Sequence, residues 1–331
     1  MTQTSLEKVI ADTVVWDNHG CMPLRPGDET FLPQLERYRT SGFDVVTLNV
    51  GFDALPWENS LRMLAQFRSW IGRHSDKFHL VGSASDIREA KKNGRLGICF
   101  DLEGGNALNG DLSMVEMFYH LGVRWMLIAY NKNNLLGGGC QDDDPGLTDF
   151  GREVIIEMNR VGMVVCCSHT GQRSAMEALE QSDSPVIFSH SNPAAIWPHP
   201  RNISDQMIRA CAETGGVIGI NGVGPFLGNN DIRSETFVRH IDHIVQLVGP
   251  RHVGLAFDYV FDHQELTDYI EQHPDLFPPE DGYAGGMNIV RPEQLMDIMA
   301  GLQKLGYSDS DLRNIAGENH LRIAQTVWKD T

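Results

Sequence analysis

Short apolar or β-branched runs alternate with amphipathic stretches along this chain, and the alternation recurs eight times, which restricts the fold more than any other feature. The runs read as strands are Thr13–Asp17, Asp44–Val50, Leu96–Leu102, Val123–Tyr130, Met163–Ser168, Pro185–His190, Gly216–Asn221 and His252–Asp258. A short helix is expected near Leu32. Longer helical stretches include Glu58–His74, Leu112–Leu121, Asp149–Val161, Gln172–Gln181, Ser204–Thr214, Ser234–Val248 and Pro292–Leu305, each able to cross back over a sheet. Strand followed by helix, repeated eight times, is the sequence form of an α/β (β/α)8 TIM barrel. A doubly wound open sheet is the rival. The glycines Gly219, Gly222 and Gly224 hint at a nucleotide loop, but they lack the dinucleotide register and a helix behind it.

At 331 residues the chain suits one barrel domain over 1–331, since such barrels commonly exceed about 250 residues as one unit. Two segments are too long for ordinary connections and are expected as rim insertions, near 131–147 and 261–290. The first holds Gly137–Gly139 and Asp142-Asp143-Asp144-Pro145. The second is rich in Pro, Gly and acidic residues and is a candidate lid.

A formal charge of −17 opposes nucleic acid and anionic membrane as partners, because both demand clustered Lys and Arg. It leaves a small-molecule substrate, and self-association into a homo-oligomer stays open. The amino terminus lacks a basic region followed by an apolar run, and no stretch approaches 18 apolar residues, so a cytoplasmic protein is expected. The six cysteines are spread without a CxxC pair and read as thiols rather than as a disulfide framework.

In a barrel of this kind the chemistry belongs at the C-terminal ends of the strands. His19 and Cys21 close the first predicted strand, Glu103 follows the third, Tyr130 ends the fourth, His169 follows the fifth, His190 ends the sixth and Asp258 ends the eighth. Imidazole, thiolate and carboxylate are the groups zinc prefers. A single histidine after an apolar run is ordinarily a hydrogen-bonded structural residue, but three at three strand ends favour a metal centre. Nine others, His74, His79, His120, His199, His240, His243, His263, His273 and His320, are assigned to helices or loops with structural or surface roles.

The chain resembles the membrane dipeptidase (renal dipeptidase) family of zinc metallopeptidases, within the amidohydrolase superfamily. The resemblance spans nearly the whole chain. It rests on Asp17-Asn18-His19, Leu102-Glu103-Gly104-Gly105, Gly146-Leu147-Thr148-Asp149-Phe150-Gly151, Ser168-His169 and Phe188-Ser189-His190-Ser191. It continues through Arg201-Asn202-Ile203-Ser204-Asp205, the Gly215–Gly219 stretch, Asp258 and Gly317-Glu318-Asn319-His320-Leu321-Arg322. It implies two zinc ions bridged by Glu103, with His169 and His190 on one and His19 with Cys21 on the other. It also assigns proton transfer to Asp258 and the substrate's terminal carboxylate to Arg201. The chain departs from the family pattern at three positions: Cys21 replaces an aspartate, Tyr130 a histidine that contacts the reacting carbonyl, and Cys166 an acidic residue.

Together these features predict a metal-dependent hydrolase, with one or two zinc or other divalent ions, that cleaves the amide bond of a dipeptide or similar N-acyl amino acid. Tyr130 would steady the developing oxyanion. Two alternatives stand beside this: a metallohydrolase acting on a lactone or cyclic amide, and a small-molecule-binding barrel impaired by the changes at Cys21 and Tyr130.

Overall fold

The computed structural model describes residues 5–284 and 286–329. Residues 1–4, which belong to the amino terminus considered above, and Gly285, within the second insertion, lie outside the described residues. The strands are β1 (Trp16–Cys21), β2 (Val45–Phe52), β3 (Phe78–Leu80), β4 (Leu96–Glu103), β5 (Val123–Leu127), β6 (Val164–Cys166), β7 (Ile218–Asn221), β8 (Val253–Ala256) and β9 (Tyr259–Val260). All strand pairings are parallel, in the order β6-β5-β4-β2-β1-β8-β7, with β3 added beside β4 and β9 beside β1.

The two ends of this curled sheet meet through residues 187 and 188. Ile187 bridges Cys166 and Phe188 bridges Ile218, both in parallel. Hydrogen bonds from Cys167 N to Ile187 O (2.9 Å) and from Phe188 N to Val217 O (3.0 Å) complete the ring. The architecture is a (β/α)8 barrel, its helices packed outside a core that includes Leu48, Phe100, Met126, Phe188, Ile220 and Leu255.

Several boundaries differ from the sequence expectation. The first strand runs to Cys21 rather than Asp17, so His19 and Cys21 lie within it. The fourth predicted strand stops at Leu127, because the chain turns through Asn131 at φ +60°, leaving Tyr130 in the following loop. Pro185–His190 makes the two bridges and no continuous strand. The last long strand ends at Ala256, and Asp258 follows with φ +55°. β3 is an addition that three residues of weak alternation did not reveal, and it carries His79, which had been assigned to a helix or loop. The helices Asp149–Val161, Gln172–Gln181 and Ser234–Val248 match their expected bounds.

A register irregularity in β1, between Asp17 and Gly20, decides where the first histidine points. Trp16 Nε1 donates to Thr47 Oγ1 at 3.0 Å, whereas Asp17 accepts from Tyr38 of helix Glu36–Thr40 at 2.8 Å. Strict alternation would send His19 with Asp17. Instead His19 meets Asp101 of β4 inside the barrel.

The loops at the C-terminal rim are tied together by Asp53, just beyond β2. Its carboxylate accepts from Asn106 N (2.9 Å), Tyr130 N (3.0 Å) and Asn134 Nδ2 (2.7 Å), while its own N–H donates to Glu103 O (3.0 Å). Gly104, at φ +125°, makes room for it, since a Cβ there would fall 2.1 Å from the Asp53 carboxylate. Replacing Asp53 by Ala strands these donors, and we expect a loss of about 2 kcal/mol of stability, read by urea unfolding. An unchanged midpoint would show that the loops hold one another without it.

Candidate metal centre and active site

Six of the eight residues singled out in the sequence converge at the C-terminal mouth of the barrel, from β1, β4, the turns after β6 and β8, and the segment that follows the bridges at 187 and 188. Glu103 ends β4 and is buried at 6% exposure. Its Oε1 lies 3.2 Å from His190 Nε2, 3.3 Å from His169 Nε2 and 3.5 Å from His19 Nε2. No hydrogen bond reaches this oxygen among the described residues. Cys21 Sγ is 3.4 Å from His19 Nε2 and donates to Asp258 Oδ1 at 3.1 Å. Two groups of donor atoms emerge, His19 with Glu103 and His190, and His19 with Cys21 and Asp258.

Each imidazole is oriented by a neighbour on its far nitrogen. His19 Nδ1 faces Asp101 Oδ2 at 3.1 Å, His169 Nδ1 faces Asn131 Oδ1 at 2.7 Å, and His190 Nδ1 faces Ser189 Oγ at 2.8 Å. A carboxylate or amide oxygen only accepts, so Nδ1 of His19 and of His169 carries a proton, and in the neutral His169 ring Nε2 presents a lone pair. The Nε2 atoms of His169 and His190 are 2.9 Å apart. With the Ser189 hydroxyl donating to His190 Nδ1, the His190 proton sits on Nε2 and joins the two rings by a hydrogen bond, and a cation bound among these atoms would take the place of that proton. The donor set therefore suits a divalent metal, and imidazole, carboxylate and thiol together suit zinc.

Burial raises Glu103 to about 8, and burial together with the charges of His19 and Arg201 holds His169 and His190 well below the ordinary imidazole value. Burial also opposes charge on His19, yet Cys21, Asp101 and Glu103 outweigh it and raise that pKa. The Cys21 thiol is pushed up by burial and by the Asp258 carboxylate.

His169 and Asp258 both occupy left-handed backbone, at φ +61° and +55°. Such conformations are uncommon outside glycine and cluster where function demands a side-chain direction. Asn221 Nδ2 donates to Asp258 Oδ2 at 2.9 Å, which leaves Oδ1 facing Cys21 and His19. Tyr130 stacks on His169 with ring centroids 4.1 Å apart and lines the same cavity; burial keeps its phenol neutral, hence a donor.

Arg201 stands apart from the cluster, in a neighbouring cleft that also touches His169. It is 2% exposed, donates from Nη2 to His190 O at 3.3 Å, and its Nε has no partner among the described residues. Cys166 is buried below the centre, where its thiol donates to Ser189 Oγ at 3.1 Å and so supports His190.

The sequence reading missed Asp101, Asn131, Ser189 and Asn221 as orienting residues. Asp101 was legible, since it precedes Glu103 by two residues on one strand and shares its face. Ser189 adjoins the histidine it orients, while Asn131 in a loop and Asn221 at the end of β7 orient groups far along the chain, which their spacing does not announce.

Comparison with known proteins agrees with this geometry. Residues 43–277 match the family model of the membrane dipeptidases, Peptidase family M19. The chain belongs to the membrane dipeptidase family. It is 29% identical over 262 residues to dipeptidase tcpJ of Claviceps purpurea, covering 77% of this chain and 56% of that protein. The chain thus spans little more than half the length of that curated relative. Among solved structures, an amidohydrolase from Pseudomonas aeruginosa superposes with a TM-score of 0.87 at 28% identity, covering 99% of this chain and 100% of the other. A metallopeptidase from Rhodobacter sphaeroides, liganded with a phosphinate mimic of the dipeptide L-Ala-D-Ala, shares the fold with a TM-score of 0.77 at 21% identity, covering 96% and 100%.

The buried carboxyl sets a pH signature. Glu103 titrates near 8 in the folded metal-free protein against an ordinary value of 4.5, so the folded state favours its protonated form. Stability from this group is full below 4.5 and is lost as pH rises toward 8. We expect the melting temperature of the metal-free protein to fall across that window and added Zn2+ to offset the fall, while Glu103→Gln makes the fall shallower and leaves the part due to buried Asp17 and Asp53. A wild-type curve as flat as that of the variant would mean that Glu103 is not so perturbed.

Proposed function

We propose that this member of the membrane dipeptidase family is a metal-dependent hydrolase that cleaves the amide bond of a dipeptide or similar small N-acyl amino acid. The observation that carries the reading is the cluster at Glu103, where three imidazole nitrogens lie within 3.5 Å of a buried carboxyl oxygen that receives no hydrogen bond among the described residues. In this reading His169, His190 and Glu103 would hold one divalent ion, preferably zinc, and His19, Cys21 and Glu103 a second, with Asp258 beside it. Such an ion supplies Lewis acidity, polarising a carbonyl and bringing the pKa of water near neutrality.

The remaining roles fall to the chain's own groups. Asp258 Oδ1 faces the centre while Oδ2 is held by Asn221, so once Cys21 withdraws its hydrogen bond Oδ1 can accept a proton and return it to the leaving amine. The neutral Tyr130 phenol donates toward the reacting carbonyl oxygen. The buried Arg201 guanidinium, with an unpartnered Nε, takes the substrate's carboxylate. That end-capture requires a free carboxylate beside the scissile amide and so excludes cleavage at internal bonds of a longer peptide. The dipeptidase activity named for tcpJ supports the same substrate class. None of the described helices is long and apolar enough to cross a membrane, and the proposed cytoplasmic location accords with that.

Two substitutions test the assignment. Asp258→Asn retains shape and a left-handed backbone preference but cannot carry the proton, so kcat should fall by about 100-fold or more with metal content unchanged. Full kcat would remove Asp258 from proton transfer. Arg201→Ala should raise KM by about tenfold or more for substrates with a free carboxylate and leave carboxyl-amidated analogues unaffected. Equal effects on both would make Arg201 structural.

A further inference from the structure

The cavity above the Glu103 cluster has a polar floor and an apolar wall, and this contrast goes beyond the chemistry of bond cleavage. Its floor is Cys21, Glu103 and Asp258, and its volume is about 240 Å³. The wall rises through Leu24, Phe52 and Leu55 on one side and Leu266, Tyr269 and Met287 of the second insertion on the other. Helix His263–Gln272 brings Leu266 and Tyr269 over the opening, and Phe52 meets Tyr269 edge-on with centroids 5.7 Å apart.

Two acids, Asp262 and Glu265, stand at the lip of this cavity. Both are engaged by Arg25 from the loop after β1, at 3.3 and 3.0 Å. The lip therefore offers its charges to one another rather than to a ligand, and above the floor the contact surface left is hydrocarbon and aromatic ring.

The direction of the substrate follows from connectivity. In an N-acyl amino acid the carboxylate, the amide nitrogen, the carbonyl and the acyl chain follow in that order. Arg201 opens onto its own cleft, which meets the apolar cavity at His169. With the carboxylate at Arg201 and the carbonyl over Glu103, the acyl side must extend away from Arg201 and into the apolar cavity.

We propose that this cavity is a specificity pocket for the acyl side of the substrate, selecting a bulky apolar acyl group or amino-terminal side chain. The inference rests on the reading that Arg201 holds the carboxylate and that the amide is cleaved at Glu103. Burying each further methylene should raise kcat/KM about fourfold until the cavity fills. Lengthening the side chain on the carboxylate side should have no comparable effect.

The experiment uses the zinc-loaded full chain and two series, N-acyl-alanines from acetyl to hexanoyl, and N-acetyl amino acids from alanine to norleucine. Turnover is measured for each member, and binding of the same compounds is measured by calorimetry on the zinc-loaded Asp258→Asn variant. The expected result is a steep rise along the acyl series in both measurements, a flat second series, and a lower hexanoyl-to-acetyl ratio in Leu266→Ser. Hydrolysis without a chain-length trend overturns the pocket and leaves the hydrolase reading standing. Tighter binding with chain length but no turnover of any member by the wild type upholds the pocket and overturns the cleavage reading. A rise along the second series instead of the first reverses the orientation and overturns the proposal.

Discussion

A carboxyl oxygen buried among three imidazole nitrogens, with no hydrogen bond to it among the described residues, is the constraint around which the barrel mouth is arranged. Left bare, such a group is costly: charge in a low dielectric without a partner pushes toward neutrality, and Glu103 accordingly rises to about 8. The protein holds the arrangement together from outside. Asp101, Asn131 and Ser189 fix the three rings, and Asn221 fixes Asp258. Each comes from a different strand or loop, so the cluster retains its shape only if the barrel closes. Closure in turn depends on the short bridges at Ile187 and Phe188, two residues upstream of His190.

Much of this architecture was readable from periodicity. The longer helices named from the sequence lie close to their expected bounds, because a 3.6-residue apolar period over 10 or more residues has few competing explanations, as in Asp149–Val161 and Ser234–Val248, whereas Ala84–Lys92, His263–Gln272 and Asn319–Val327 were not read. Strands fared less well at their ends. The barrel interior changes from hydrocarbon to polar groups at its mouth, so β1 and β4 continue through Asn18, His19, Asp101 and Glu103, where an apolar criterion wavers. Conversely, apolar character overran the true ends at Tyr130 and Asp258, where left-handed residues turn the chain. Pro185–His190 has the composition of a strand, but its neighbours β6 and β7 are themselves only three and four residues long, and the contact reduces to bridges.

The candidate site was legible to the extent that chemistry alone marks it. Histidine, glutamate and aspartate at strand ends stand out because apolar barrels seldom place them there without purpose. What spacing does not disclose is direction. The irregularity in β1 turns His19 inward although Asp17, two residues before it, reaches out to Tyr38. Nor does it disclose the orienting partners, since Asn131 and Asn221 resemble ordinary loop and strand-end residues until the fold sets them against His169 and Asp258.

The departure at Cys21 acquires a physical meaning in this setting. An aspartate there, as the family pattern has it, would add a third carboxylate to the space that Glu103 and Asp258 already share. The thiol instead stays protonated, because burial and Asp258 both oppose its ionisation, and it donates its hydrogen to Asp258 Oδ1 at 3.1 Å. In the absence of a cation this relieves repulsion that an acid would have added. With a cation the balance shifts, since the thiol proton must leave and Asp258 must surrender the hydrogen bond before sulfur can coordinate. On the His169 and His190 side both rings are neutral and already oriented, and no thiol proton is lost. Under the proposed reading the two metal positions are therefore inequivalent: binding at the Cys21 side releases a thiol proton, so its affinity falls as pH falls.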